Sequence, residues 1–121
     1  MHKLVILVDE MDSLPTFDEL WPKFLSLAEQ MPGLQREATS HVDRVVFGSS
    51  RCSLIHELFF DSLDALRQAM NSTPGLQAGQ VLQKLTQGRL TLLITDHKED
   101  ELANIRKYSR PSEANDETRT P

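Results

Sequence analysis

The chain of 121 residues has a single cysteine, Cys52, so no internal disulfide can staple it. A cytoplasmic, bacterial-type setting is the default for such a chain. Cys52 has no His or acid beside it in sequence, and a packed thiol is its ordinary role. Basic excess is lacking too: 13 Lys and Arg stand against 18 Asp and Glu, a net charge of -5. Nucleic acid and anionic membrane surfaces are poor partners for that balance. No apolar run approaches the roughly 20 residues of a membrane span. The opening MHKLVILVDE has a base before a short apolar stretch, but Asp9 and Glu10 stand where small residues would precede a signal cleavage site. It reads as a strand. Neither His-x-x-x-His nor Cys-x-x-Cys spacing occurs, nor a Gly-rich phosphate loop, so no metal or cofactor is expected.

What is present is an alternation of strand and helix patterns. In His2 to Val8, Leu4, Ile6 and Val8 share one strand face, and Lys3, Val5, Leu7 and Asp9 the other. Thr16-Phe17-Asp18-Glu19 reads as a capping box for a first helix with a stripe of Phe17, Leu20, Phe24, Leu27, Ala28 and Met31. Pro22 is expected early in that helix, where its missing N–H matters least. Met31-Pro32-Gly33-Leu34 stops the helix. Gln35 to Val42 is polar on both sides and reads as an edge strand, with Val45 to Phe47 offering a continuation after a break at Asp43-Arg44.

Cys52 to Phe60 is the clearest strand, with Leu54, His56, Leu58 and Phe60 on one face and Ser53, Ile55, Glu57 and Phe59 on the other. Asp61 or Ser62 caps a second helix striped by Leu63, Leu66, Ala69 and Met70. Thr73 as cap and Pro74 as first helical residue open a further helical segment, which Gly88 ends. Arg89 to Thr95 is the last strand. Residues 98–121 form a polar tail, expected to be partly disordered, whose apolar spacing is Leu102, Ile105 and Tyr108.

The order β-α-β-β-α-β over residues 1–97 is the plan of an α+β, ferredoxin-like fold: a four-stranded antiparallel sheet with helices on one face. Val5, Leu7, Ile55, Phe59 and Leu93 fall on the other face by parity. Burying each is worth on the order of 1.5–3 kcal/mol, and no helix is left over to cover them. A second copy, sheet against sheet, is the economical cover. The expectation is a homodimer, a dimeric α/β barrel with a cavity between its sheets.

The strand-to-helix joint HELFFDSLDAL, the Met31-Pro32-Gly33-Leu34 turn after a Trp-containing first helix and the segment from Pro74 resemble the EthD family, over about residues 2–97. That resemblance implies the dimeric α/β-barrel superfamily. It also implies links to degradation of ethers and other small organic compounds, among relatives that include cofactor-independent monooxygenases, lactone isomerases and dehydratases. Family members often carry His-x-Pro in the first helix. Here the region reads Trp21-Pro22-Lys23, so no role of that histidine carries over.

Polar residues expected on the open sheet face are Asp9, Glu37, Thr39, His41, Glu57, Thr91 and Thr95, with His97 at a strand end. His41 and Glu57 are the expected catalytic pair, because antiparallel neighbours on one face meet and a carboxylate beside an imidazole suits proton abstraction. Val5, Leu7, Asp9, Thr39, Ile55, Phe59, Thr91, Leu93 and Thr95 are expected to line the pocket around them. His56, among Leu54, Leu58 and Phe60, reads as a satisfied core histidine. Two functions follow: conversion of a small, mostly apolar organic compound by cofactor-independent proton transfer, or a non-catalytic ligand-binding or accessory dimer.

Overall fold

The computed structural model describes residues 1–11 and 14–103. Its elements in chain order are β1 (His2–Asp9), α1 (Leu14–Glu29), β2 (Arg36–His41), β3 (Cys52–Phe60), α2 (Leu63–Asn71), α3 (Thr73–Thr86) and β4 (Leu90–Asp96). The strands form one sheet in the order β2-β3-β1-β4, with every neighbouring pair antiparallel. This is the ferredoxin-like plan, with the second helical stretch split in two.

Alternation places the core. Leu4, Ile6 and Val8 of β1 stand opposite Leu58, His56 and Leu54 of β3, so all six share a face. That face meets Phe24 and Ala28 of α1, Met31 just beyond it, Leu66 and Ala69 of α2, and Ala78, Leu82 and Leu85 of α3 in one cluster. Ser62 caps α2, its hydroxyl accepting from the Ala65 N–H at 3.1 Å. The cap of α3 lies one residue before the expected Thr73. Ser72 ends α2 and starts α3 at once: its Oγ donates to the Ala69 carbonyl (2.6 Å) and accepts from the Gly75 N–H (3.1 Å). One hydroxyl therefore serves two helix ends, and the corner between them is tight.

Three expectations need correction. α1 begins at Leu14, so Thr16 is already helical and Thr16–Glu19 is not a capping box, which needs a non-helical first residue. Pro22 accordingly sits in the helix interior rather than near its start. Its missing N–H leaves the Asp18 carbonyl without an intrahelical donor, on a face where Asp18 and Pro22 are exposed to water. Val45 to Phe47 do not extend β2; they lie in the connection between β2 and β3, and Val46 and Phe47 are almost fully exposed. In the tail, Ile105 and Tyr108 lie outside the described residues.

The open face carries Val5, Leu7, Ile55, Phe59 and Leu93 as expected, since Val5 pairs with both Glu57 and Leu93, and Leu7 with Ile55. Not all of it is bare. Phe59 is buried under the chain's own cations: the Arg36 guanidinium lies 3.9 Å from its ring centroid, the Lys3 ammonium 5.4 Å, and His97 meets its edge. Glu99 holds Arg36 (3.3 Å) and His97 (2.6 Å), so the start of the tail crosses this end of the sheet. Val5 is buried as well, Leu7 and Ile55 are half-buried, and Leu93 stays 43% exposed.

The two glycines of α3 should respond in opposite directions. A Cβ at Gly75 runs into the Ala69 and Met70 carbonyl oxygens at the α2–α3 corner, whereas one at Gly79 meets nothing. Gly79→Ala is expected to raise stability by about 0.5–1 kcal/mol through helix propensity and a less flexible unfolded chain. Gly75→Ala is expected to lower it. Urea denaturation of both variants checks the signs, and a Gly75→Ala protein as stable as the parent would show that the corner is not tight.

Candidate functional site

His56 is the centre of the polar chemistry on the helix side of the sheet. β3 sets it between Leu54 and Leu58, where it is 1% exposed. An aromatic ladder on α1 roofs it. Phe17, Trp21 and Phe24 follow one another at helical spacing, stacked at centroid distances of 5.2 and 5.1 Å. Trp21 and Phe24 then meet the imidazole edge-on at 5.3 and 5.8 Å. A buried imidazole needs partners for both nitrogens, and β2 supplies them. Thr39 stands directly opposite His56 in the register, and its Oγ1 is 2.8 Å from Nδ1. Glu37, two residues along the same face, places Oε1 2.9 Å from Nε2.

One protonation pattern satisfies the chain. A carboxylate only accepts, so Nε2 carries the proton and donates to Glu37. Nδ1 is then an acceptor, and the Thr39 hydroxyl donates to it. Burial lowers the His56 pKa below its ordinary 6.5, and it outweighs the opposing effect of Glu37, which bonds the ring, and of the more distant Glu57. His56 is thus a neutral imidazole at pH 7, held as one tautomer by a carboxylate and facing a hydroxyl.

The expected pair, His41 and Glu57, does not form. β2 pairs with β3 so that Ala38 faces Glu57 and His41 faces Leu54. His41 therefore lies on the helix face with Glu37 and Thr39, and Glu57 lies on the open face. Glu57 instead binds Lys3 at 2.6 Å, half-buried. Glu37, Thr39 and His41 are one residue out of phase with the expectation because β2 is polar on both sides, and no apolar alternation marks which face is inward. His56, read as a satisfied core histidine, is indeed satisfied, but by the two residues assigned to the opposite face. Its signal was present: a histidine in an otherwise apolar strand face demands polar partners on the neighbouring strand.

Two cavities flank His56. The larger, about 380 Å³, lies between sheet and helices, walled by Leu4, Ile6, Leu58 and Leu92 from the strands and by Phe24, Leu76, Ala78, Gly79 and Leu82 from the helices. Gln80 and Gln83 are its polar side chains. The smaller, about 270 Å³, has Val8, Leu54, Phe17 and Met11 with His41, Asp9, Glu10 and Ser53. It brings together His41 and Asp9 of the expected site residues. Along β3, Leu54 lines one cavity and Leu58 the other, so His56 lies between them. Val5, Leu7, Thr39, Ile55, Phe59, Thr91, Leu93 and Thr95, expected around a pocket between two sheets, line neither. Among the described residues no group of three or more His, Cys, Asp or Glu side chains converges.

Neither a family model nor a curated protein sequence matches the chain. Solved structures do. An ethyl tert-butyl ether D (EthD) family protein of Bacillus halodurans C-125 is 27% identical with a TM-score of 0.73, over 81% of this chain and 99% of that one. SnoaB, a cofactor-independent oxygenase from Streptomyces nogalater, is 14% identical with a TM-score of 0.62, over 84% and 96%. A dimeric ferredoxin-like protein of unknown function from Jannaschia sp. CCS1 is 18% identical with a TM-score of 0.60, over 79% and 97%. The latter two share the fold. The likeness to the first extends the resemblance to the EthD family from short motifs to nearly the whole of that protein.

The pKa of His56 has a consequence for stability. The unfolded chain binds a proton near the ordinary 6.5, whereas folded His56 resists protonation. Between those two pKa values the unfolded state holds more protons, so stability is lost as pH falls below about 6.5 and levels off once the folded ring is protonated. Urea denaturation from about pH 8 to about pH 5 is expected to show this loss, less marked in His56→Gln. NMR of the imidazole nitrogens reads the tautomer directly. A ring that is cationic near pH 7 would contradict the assignment.

Proposed function

We propose that the protein is a homodimer whose subunits each bind a small, mostly apolar organic compound, of the ether or small aromatic class, between sheet and helices. The observation that carries this is the cavity of about 380 Å³, walled by apolar side chains from both layers. Its volume lies within the usual range for small-molecule sites, and a few polar groups on an apolar wall are what such sites present. This site lies within one subunit, whereas the expected cavity lies between the sheets of two. The dimer is supported by the open face, where Leu7, Ile55 and Leu93 keep apolar surface in reach of water, and by relatives described as dimeric. A cytoplasmic setting fits the single unpaired cysteine; among the described residues no helix is long and apolar enough to cross a membrane.

The chemistry proposed is proton transfer without metal or nucleotide, by a network beside the cavity whose members Glu37, Thr39 and His56 do not line it. His56 takes the role expected of His41, and Glu37 the role expected of Glu57. As a substrate C–H or O–H gives its proton to Thr39 Oγ1, the Thr39 proton passes to His56 Nδ1, and the imidazolium formed is held by Glu37. Thr39 is the exposed residue of the three, so its hydroxyl is the end of the relay nearest a substrate. A second reading, a non-catalytic ligand-binding dimer, is favoured by one specific fact: His56 is 1% exposed and lines neither cavity.

A thermal-shift screen of small ethers and aromatic compounds tests the binding. A ligand at about 100 times its Kd is expected to stabilise the native state by about 2.7 kcal/mol. If none of the compounds moves the Tm, the cavity is packing space and the ligand reading fails. With a binder in hand, product formation by the parent and its loss in His56→Gln and Thr39→Val, with binding retained, supports conversion. Binding without turnover in the parent leaves the second reading standing. Sedimentation of the parent as a monomer at micromolar concentration would end the dimer.

A further inference from the structure

We infer that the β2–β3 connection is a dimer arm: Val46 and Phe47 of each subunit pack over Leu92 and Ile94 of its partner's β4, beside the mouth of the larger cavity. The inference rests on the homodimer reading above and adds where the subunits grip one another.

Among the described residues, two apolar surfaces of the subunit have no cover. Val46 is 90% exposed and Phe47 97%, the highest among the large hydrophobic residues described. Gly48 follows them with a φ of 106°, a left-handed turn that suits glycine and marks the tip. At the opposite edge of the sheet, Leu92 and Ile94 point toward the helix layer yet are each 47% exposed, with Leu76 of α3 exposed nearby. Leu92 and Leu76 also line the larger cavity. A lipid surface is a poor occupant for the tip of a chain with a net charge of -5. A second copy already offers a matching apolar strip.

Symmetry brings the two together. Two open faces can meet about a two-fold axis lying between the sheets. An axis across the strands sets β2 over β2 and leaves both β4 surfaces bare. An axis along the strands sets β2 of one subunit over β4 of the other, because these are the two edges in the order β2-β3-β1-β4. Strand ends then stay level. The arm leaves β2 at His41, which is in register with Leu54, then Val8, then Leu90, so it emerges beside the start of the partner's β4. From Leu90 to Leu92 is about 7 Å along a strand. Half of the connection over residues 42–51, extended, spans about 16 Å. Crossing the roughly 10 Å between packed sheets and moving about 7 Å along β4 takes about 12 Å, within that reach; the tip then folds round the edge of β4, and Phe47 shields the Leu92 side of the partner's cavity.

The test compares dimer affinities by sedimentation equilibrium. Val46→Ser with Phe47→Ser is expected to raise the dimer Kd by about tenfold or more, with an unchanged far-UV spectrum because both positions are exposed in the subunit. Ile94→Ser is expected to do the same, and the combined variant to lose less than the sum. An arm variant with the parent's Kd overturns the arm and leaves the dimer standing. A weakened arm variant beside an unaffected Ile94→Ser overturns the contact with β4. A parent that is monomeric at micromolar concentration removes the homodimer itself, and the arm with it. As a second readout, Phe47→Trp adds an indole to the single native Trp21. Its emission is expected to shift blue as the dimer forms, and an indole that stays in water in the dimer overturns the proposal.

Discussion

The buried imidazole of His56 is the constraint on which this side of the molecule depends. A ring almost sealed from water between Leu54 and Leu58 cannot leave its two nitrogens unpaired, since a buried polar group without a partner costs on the order of 1–3 kcal/mol. Glu37 and Thr39 meet that demand only if β2 pairs with β3 in the register observed. A slip of one residue would turn both side chains to the other face and strand the imidazole. β2 is an edge strand with almost no apolar alternation. Its register is selected by two side-chain hydrogen bonds to His56 more than by hydrophobic burial.

The same ring ties the helix layer to the sheet. Trp21 and Phe24 meet it with their edges and faces crossed, and Phe17 extends the stack toward the start of α1. Aromatic contacts of this kind add about 0.5–1.5 kcal/mol beyond area burial. They also place the interior Pro22 on the solvent side of the helix, because Trp21 and Phe24 take the inward positions around it. The freed Asp18 carbonyl then lies on the exposed side of the helix. A proline that would break a helix buried all round is tolerated in one with a wet face.

Legibility in the sequence followed the strength of the apolar pattern. β1 and β3 alternate strongly, and their faces, the sheet plan and the core stripe of α1 could be read from Leu4, Ile6, Val8, Leu54, Leu58 and Phe60. The resemblance to the EthD family rested on the same well-patterned joint after β3. The site was legible only in part. Glu37, Thr39 and His41 were singled out as functional candidates, but on the wrong face, because REATSH contains no apolar residue larger than alanine to reveal its phase. The pairing with β3 runs through a long connection rather than a tight turn, so no turn type fixed the register either. Glu57 looked free for chemistry because the diagonal reach of Lys3 across to it is a matter of rotamer and not of spacing.

The position of His56 between two cavities also decides how the open face and the helix face divide their work. The open face has its charges already matched, Glu57 by Lys3 and Arg36 by Glu99, and its most apolar ring, Phe59, is covered by the same cations. What remains there is modest apolar area, with the buried Thr95 hydroxyl lacking a partner among the described residues. The helix face holds the one histidine whose pKa burial displaces, and both cavities open beside it. A displaced pKa in a packed network is by itself compatible with pure structure. Thr39, an exposed residue of the edge strand, is the end of this network nearest the solvent.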